Sequence, residues 1–201
     1  MTTSSNGGTL SVTLDPAVPL VAPGQSQVYP VIVIRTLGAD VQGVLSIKVH
    51  SDPGVSLAPN ETTVSISGSQ VSVPAVLGAL PSASVGDHSV TIAVESGGNG
   101  LANVTLRVEV VAALVVIKGA SFHPANITVP KGTTVWWINL DSNIGCCDPG
   151  FHTVTFLSAG NATSPVLKRL DTWSYTFGKA GDVSYYCNIH PYMRGEIRVT
   201  G

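Results

Sequence analysis

The chain has 201 residues, a formal net charge of −2, 44% hydrophobic residues and only 11% charged ones, against the roughly 25% charged residues usual in soluble domains. With so small a net charge and no Lys/Arg-rich run, no strong field recruits nucleic acid or an anionic membrane surface. No apolar run reaches the roughly 18 residues that a spanning helix needs, and the abundance of Val, Ser, Thr, Gly and Pro favours strands over helices.

The first residues, "MTTSSNGGTL", are small and polar. They lack the basic start and apolar stretch of a signal peptide. Residues 1–8 therefore read as a flexible linker, of the kind left when a signal or anchor is removed, with Met1 added for expression. From there, strand signals recur about every ten residues, separated by Gly, Pro, Asn and Asp turns. The pattern predicts strands near 9–14, 28–36, 43–50, 62–66, 70–76, 88–95 and 102–111. "VYPVIVIRT" holds an apolar run suited to a buried strand, and "HSVTIAVES" alternates with the period of two that gives one wet and one dry face. About seven short strands in about 100 residues resemble an immunoglobulin-like β-sandwich over residues 9–111, without the Cys-Trp-Cys signature of antibody domains. That resemblance is one of pattern and brings no active site.

A second domain is expected over residues 112–201. Its strands are predicted near 113–118, 126–129, 133–139, 152–157, 173–177, 183–187 and 195–200, with a short turn of helix around Val166 to Leu170. No Gly/Ser linker separates the halves, so "NVTLRVEVVAALVVIKG" predicts a short, stiff junction. The fold class is thus all-β, two β-sandwich domains in series. Residues 1–111 sum to −4 and residues 112–201 to +2, and all three tryptophans, Trp136, Trp137 and Trp173, lie in the second half. Chemistry is expected there.

Residues 187–193 read "CNIHPYM". A turn has use for Pro191 and Asn188, but not for a thiol at its entrance or a thioether at its exit. Met193 is the only methionine besides Met1, and Cys187 the only cysteine outside the Cys146-Cys147 pair. Thiolate and thioether are soft donors and imidazole is intermediate, a set that suits copper cycling between Cu(I) and Cu(II). Structural zinc prefers four strong ligands, commonly paired cysteines. A two-copper site of the oxidase type needs two cysteines in the loop, and this one has a single cysteine. One more imidazole completes a His₂Cys set, and His152, in "PGFHTVTF" after a Gly/Pro-rich turn, is the candidate.

Residues 113–201 resemble a cupredoxin, the small blue-copper fold. "FHPANITVPKGTTVWWINLD" is similar to the family's early strands, "HTVTF" to the strand bearing the first histidine ligand, and "YTFGKAGDVSYYCNIHPYMRGEIRV" to the closing half with its ligand loop. Cys-x-x-His-x-x-Met is the short, amicyanin-like form of that loop. The resemblance implies a Greek-key barrel holding one copper per chain. Cys187 would supply the short thiolate bond, His152 and His190 would complete the trigonal plane, and Met193 would be the long axial ligand. It also implies that the imidazole edge of His190 reaches the surface in an apolar patch with Pro191, Tyr192 and Phe151, where redox protein partners dock.

Two features depart from the family. Thr153 stands where many cupredoxins carry an Asn that ties the two ligand-bearing loops together, and its hydroxyl is able to make a similar bond. "NLDSNIGCCDPGFH" inserts a Cys-Cys pair before His152. Three readings stay open for Cys146 and Cys147: a vicinal disulfide, two free or externally bonded thiols, or a second metal or copper-entry site. His50 and His88 lack companion donors and are expected at the surface or at an edge, and His123 is expected in a structural or surface role. Trp136 and Trp137, like Tyr185 and Tyr186, should point to opposite faces of their strands.

The functional expectation is a one-electron carrier, not an enzyme, in an extracytoplasmic location (periplasmic, cell-surface or secreted), with a membrane anchor in the full-length protein left open. Four Asn-x-Ser/Thr sequons, at Asn60, Asn103, Asn126 and Asn161, are compatible with export. The sandwich half would serve as spacer or docking module. The alternatives are small-molecule redox catalysis, such as nitrogen oxide chemistry at a mononuclear copper, and copper storage or delivery.

Overall fold

The structure is a computed structural model that describes residues 8–38, 43–142, 148–157 and 162–201. The chain divides into two compact units, Met1–Val111 and Ala112–Gly201. Among the described residues there is no helix, and none that is long and apolar enough to cross a membrane.

The first unit is built from β1 (Gly8–Asp15), β2 (Leu20–Val21), β3 (Ser26–Gln27), β4 (Val31–Gly38), β5 (Gly43–Ser51), β6 (Val55–Pro59), β7 (Thr63–Ile66), β8 (Gln70–Ala79), β9 (Gly86–Ser96) and β10 (Asn99–Val110). One sheet runs β1-β4-β8-β3 with β6 also paired to β8, and the other runs β2-β10-β9-β5-β7. A single apolar core draws on both sheets, including Ile32 and Ile34 from β4 and Val90, Ile92 and Val94 from β9. The period-two alternation read in "HSVTIAVES" is present as buried 88, 90, 92 and 94 between more exposed neighbours. The apolar run of β4 is buried on both faces, with Ile32, Val33 and Ile34 all at 5% exposure or less.

Some sequence expectations need correction. Gly8 opens β1 rather than ending a linker. The short strands β2 and β6 have no counterpart in the predicted set. His88, expected at the surface or at an edge, is buried on β9 between β10 and β5, its Nε2 2.8 Å from the Ser84 carbonyl oxygen. His50 and His123 are exposed, as are the sequon asparagines Asn60, Asn103 and Asn126. Asn161, Cys146 and Cys147 lie outside the described residues.

The second unit comprises β11 (Ala113–Ile117), β12 (Phe122–His123), β13 (Asn126–Pro130), β14 (Thr134–Asn139), β15 (Thr155–Phe156), β16 (Thr172–Thr176), β17 (Gly181–Tyr186) and β18 (Arg194–Thr200). Its sheets run β12-β11-β14-β16 and β13-β18-β17-β15, with β11/β14 and β13/β18 parallel and the remaining pairs antiparallel. Both sheets feed one core, in which Trp137, Phe156, Tyr185 and Phe177 meet. The Trp137 ring lies 5.7 Å from that of Tyr185 and 6.0 Å from that of Phe156. Trp137 and Tyr185 are buried while Trp136 and Tyr186 are half-buried, as neighbours on a strand must divide. The helical turn expected around Val166 to Leu170 is absent. Leu167 instead forms an antiparallel bridge with His152, its N–H donating to the His152 carbonyl at 2.8 Å and its carbonyl accepting from the His152 N–H at 3.1 Å. Buried Leu167 packs in the unit's core, and anchoring that side chain outweighs any local helical tendency of "VLKRL".

Candidate metal centre

Strand β17 buries alternate residues, Val183 and Tyr185, and the same period carries inward to Cys187, one residue past the strand end. The chain then turns tightly. The His190 carbonyl accepts from the Met193 N–H at 2.9 Å, and the Cys187 N–H donates to the Met193 carbonyl at 3.2 Å. This closed turn brings Cys187, His190 and Met193 to one end of the core, where they are 0%, 8% and 3% exposed. β18 follows at once, and its Gly195 lies against the Tyr185 ring and the Ala125 carbonyl oxygen, where any Cβ would collide.

The second segment is 148–153. Asn139, at the inner end of β14, donates from Nδ2 to the carbonyls of Gly150 and Leu167 at 2.8 and 2.9 Å. Gly150 has φ +70°, and a Cβ there would meet the Asp141 carbonyl carbon at 3.0 Å, so glycine is required on both counts. The result is a fully buried His152 whose ring faces the 187–193 loop.

Cys187 Sγ lies 3.9 Å from His152 Nδ1 and 3.8 Å from His190 Nδ1, and the two Nδ1 atoms are 3.2 Å apart. The structure thus brings together Cys187, His152 and His190. Met193 sits in the same core cluster as Cys187. The circle through the three donor atoms, from those distances, has a radius of about 2.1 Å, within the roughly 2.0–2.3 Å of zinc–nitrogen and zinc–thiolate bonds, the nearest yardstick for a first-row ion.

The outer nitrogens explain why three donors converge. His152 Nε2 is 3.0 Å from Asp141 Oδ2, and His190 Nε2 is 2.7 Å from Asp148 Oδ2. An ionised carboxylate only accepts, so each Nε2 carries the proton. Nδ1 of each ring is then the atom that faces the other ring and the Cys187 sulfur, and it offers a lone pair whenever its imidazole is neutral. Electron-rich atoms gathered this way call for a cation, and a thiolate with two imidazoles and a nearby thioether is a copper donor set. Asp141 is itself fixed, accepting from the N–H groups of Gly119 at 2.6 Å and Ala120 at 2.9 Å. Asp148 accepts from the Gly150 N–H at 2.9 Å.

The electrostatics run the same way. Burial pushes the Cys187 thiol up, but hydrogen bonds from His152, the Thr153 N–H and the backbone and ring of His190 outweigh it and bring it down to about 6. Burial lowers His190, and Asp148 and Cys187 more than reverse that, leaving it above its ordinary value. The Gly150 N–H and then His190 hold Asp148 below the usual carboxylate range.

Thr153 links the two segments. Its N–H donates to Cys187 Sγ at 3.3 Å, and its hydroxyl accepts from the Asn188 N–H at 2.8 Å and points at Cys187 Sγ from 3.8 Å. The hydroxyl therefore makes the tie between loops that the resemblance assigns to Asn. The exposed apolar edge expected for His190 is not what is found: the residue is 8% exposed and its Nε2 is taken by Asp148. Pro191 and Tyr192 beside it are exposed, Tyr192 at 69%, while Phe151 is half-buried. Asp141 and Asp148 escaped the sequence reading. The signal available was a carboxylate on the segment entering His152, in "LDSN" and "CDPGFH".

No family model matches the chain. Amicyanin from Paracoccus denitrificans is 33% identical over 92 residues, covering 44% of this chain and 65% of that protein. Amicyanin from Paracoccus versutus is 28% identical over 92 residues, covering 44% and 64%. The chain thus spans just under two thirds of the length of these curated relatives. Among solved structures, the reduced state of an amicyanin variant is 32% identical, covering 44% of this chain and 81% of that one, with a TM-score of 0.38. A purple cupredoxin from Nitrosopumilus maritimus is 29% identical, covering 44% and 99%, with a TM-score of 0.37.

The second unit is a cupredoxin domain, and its donor set fits one copper ion.

Proposed function

We propose that the chain is a one-electron carrier in which Cys187, His152 and His190 would hold a mononuclear copper, with the Met193 thioether as a fourth donor. The observation that carries this reading is the convergence of one sulfur and two Nδ1 atoms within 3.2–3.9 Å of each other among buried residues. When bound, copper supplies a single electron at a time by alternating between its +1 and +2 states. The protein's part is to keep its donors still. His152 is locked by Asp141 and by its bridge to Leu167, Cys187 by the Thr153 N–H, and Met193 by the closed turn. Donors that do not rearrange add little to the barrier of electron transfer, and burial keeps water away from the sulfur. Hydrogen bonds to the thiolate withdraw electron density and tune the potential.

No substrate is transformed in this reading. The partners are redox proteins that meet the exposed face formed by Pro191 and Tyr192 in a small, transient interface. The location is extracytoplasmic, which the exposed sequon asparagines suit. The first unit serves as spacer or docking module.

The test is an absorption spectrum of the copper-loaded protein beside a Cys187→Ser variant, with metal analysis and a redox titration. The carrier reading expects one copper per chain, intense visible thiolate-to-copper absorption lost in the variant, and a reversible one-electron titration. It also expects no spectral change on adding nitrite or nitric oxide; a change would favour catalysis. Identical spectra for wild type and variant would refute the ligand assignment.

A further inference from the structure

We propose that Asp148 is a positioning residue that clamps His190 and sets the copper potential, an inference that rests on the carrier reading above. Asp148 Oδ2 holds His190 Nε2 at 2.7 Å while Oδ1 accepts from the Gly150 N–H at 2.9 Å, so both carboxylate oxygens are committed and swinging the carboxylate away costs both bonds. The carboxylate comes from the segment that carries His152, four residues on, and reaches across to the histidine of the other loop. With the Thr153–Asn188 bond, the two ligand-bearing segments are stitched on both sides of the donor cluster.

Three consequences follow from the geometry. The proton of His190 is held at Nε2, so Nδ1 always faces Cys187. The ring cannot rotate outward without giving up a charge-assisted hydrogen bond. A carboxylate on the far nitrogen makes Nδ1 a stronger donor, as partners of ligating imidazoles do. A stronger donor favours the more highly charged metal. With Asp141 on His152 and Asp148 on His190, both imidazoles receive this support, and the higher oxidation state is stabilised from two sides.

The experiment compares Asp148→Ala and Asp148→Asn with wild type, and uses Asp182→Asn as control. Asp182 is an exposed carboxylate of the same unit, paired with Arg198. The midpoint potential of the copper-loaded protein is measured by redox titration. Exchange of the His190 Nε2 proton is measured by NMR in the metal-free protein. The expected result is a higher potential in Asp148→Ala, a smaller rise in Asp148→Asn, and no change in the control. Proton exchange should quicken in Asp148→Ala by roughly tenfold or more, the factor expected for losing a hydrogen bond to a charged group. Potentials equal to wild type in both variants, or a control shift as large as theirs, would overturn the proposal. If Asp148→Ala does not fold, Asp148→Asn, which keeps the volume, decides it. If the wild-type chain takes up no copper, the carrier reading falls by itself, and unchanged Nε2 exchange would still separately overturn the clamp.

Discussion

Replacing Thr153 with Val isolates the bond between the two ligand segments. Valine keeps the shape of threonine, and the Thr153 N–H bond to Cys187 is a backbone bond that survives the change. What disappears is the hydroxyl that accepts from the part-buried Asn188 N–H at 2.8 Å. Residue 153 is only 5% exposed, so water does not easily replace the hydroxyl. Leaving a buried donor unpaired costs about 1–3 kcal/mol; the Asn188 N–H is part-buried, so that range is a ceiling, with the lost 3.8 Å hydroxyl–sulfur contact adding little at that length. A loss of about 2 kcal/mol corresponds to roughly 8–16 °C in a domain of this size. The assay is thermal and urea unfolding of the metal-free protein followed by tryptophan emission. All three tryptophans belong to the second unit, so the signal reports that unit alone. Thr153→Ser should retain most of the stability. If Thr153→Val unfolds within about 0.5 kcal/mol of wild type, the size of a neutral surface change, or if Thr153→Ser loses as much as Thr153→Val, the hydroxyl bond does not tie the loops.

The same readout serves three further predictions. Gly195→Ala drives a methyl into the Ala125 carbonyl oxygen and the Tyr185 ring and strains the Tyr185 hydroxyl bond to that carbonyl, 3.1 Å long; the cost should be about 2 kcal/mol or more, and a stable variant would show that the contact relaxes. Asp141→Ala removes the acceptor of the Gly119 and Ala120 N–H groups and of His152 Nε2, for a loss of about 2–4 kcal/mol together with weaker copper binding; unaltered metal affinity would separate Asp141 from the site. The thiol of Cys187 falls from 9.0 to about 6 on folding, so in the metal-free protein its contribution to stability is full above pH 9 and is lost as the pH falls toward 6. A Cys187→Ser variant should therefore show a flatter dependence of stability on pH between those limits, and parallel curves would contradict the depressed thiol.

What could be read from the residues was whatever follows from a short-range rule. Alternation in "HSVTIAVES" defines a half-buried strand because successive side chains leave opposite faces, and β9 obeys it. A soft thiol, an imidazole and a thioether within seven residues point to a soft metal because a single turn is enough to gather them. Two-residue strands such as β2 and β12 are too short for a periodic pattern to exist.

The amino-acid order by itself determined the all-β class, the half of the chain that holds the chemistry and the donor types of the centre, since these depend on side-chain chemistry and local spacing. Only the tertiary structure decided that Leu167 bridges to His152, that the Thr153 hydroxyl joins the loops, and that Asp141 and Asp148 each take the outer nitrogen of a histidine. Short polar side chains in irregular loops have no periodicity that marks their partners. Their pairing is set where the folded backbone brings them within hydrogen-bond reach, and for Asp148 and His190 that means closing a gap of 42 residues.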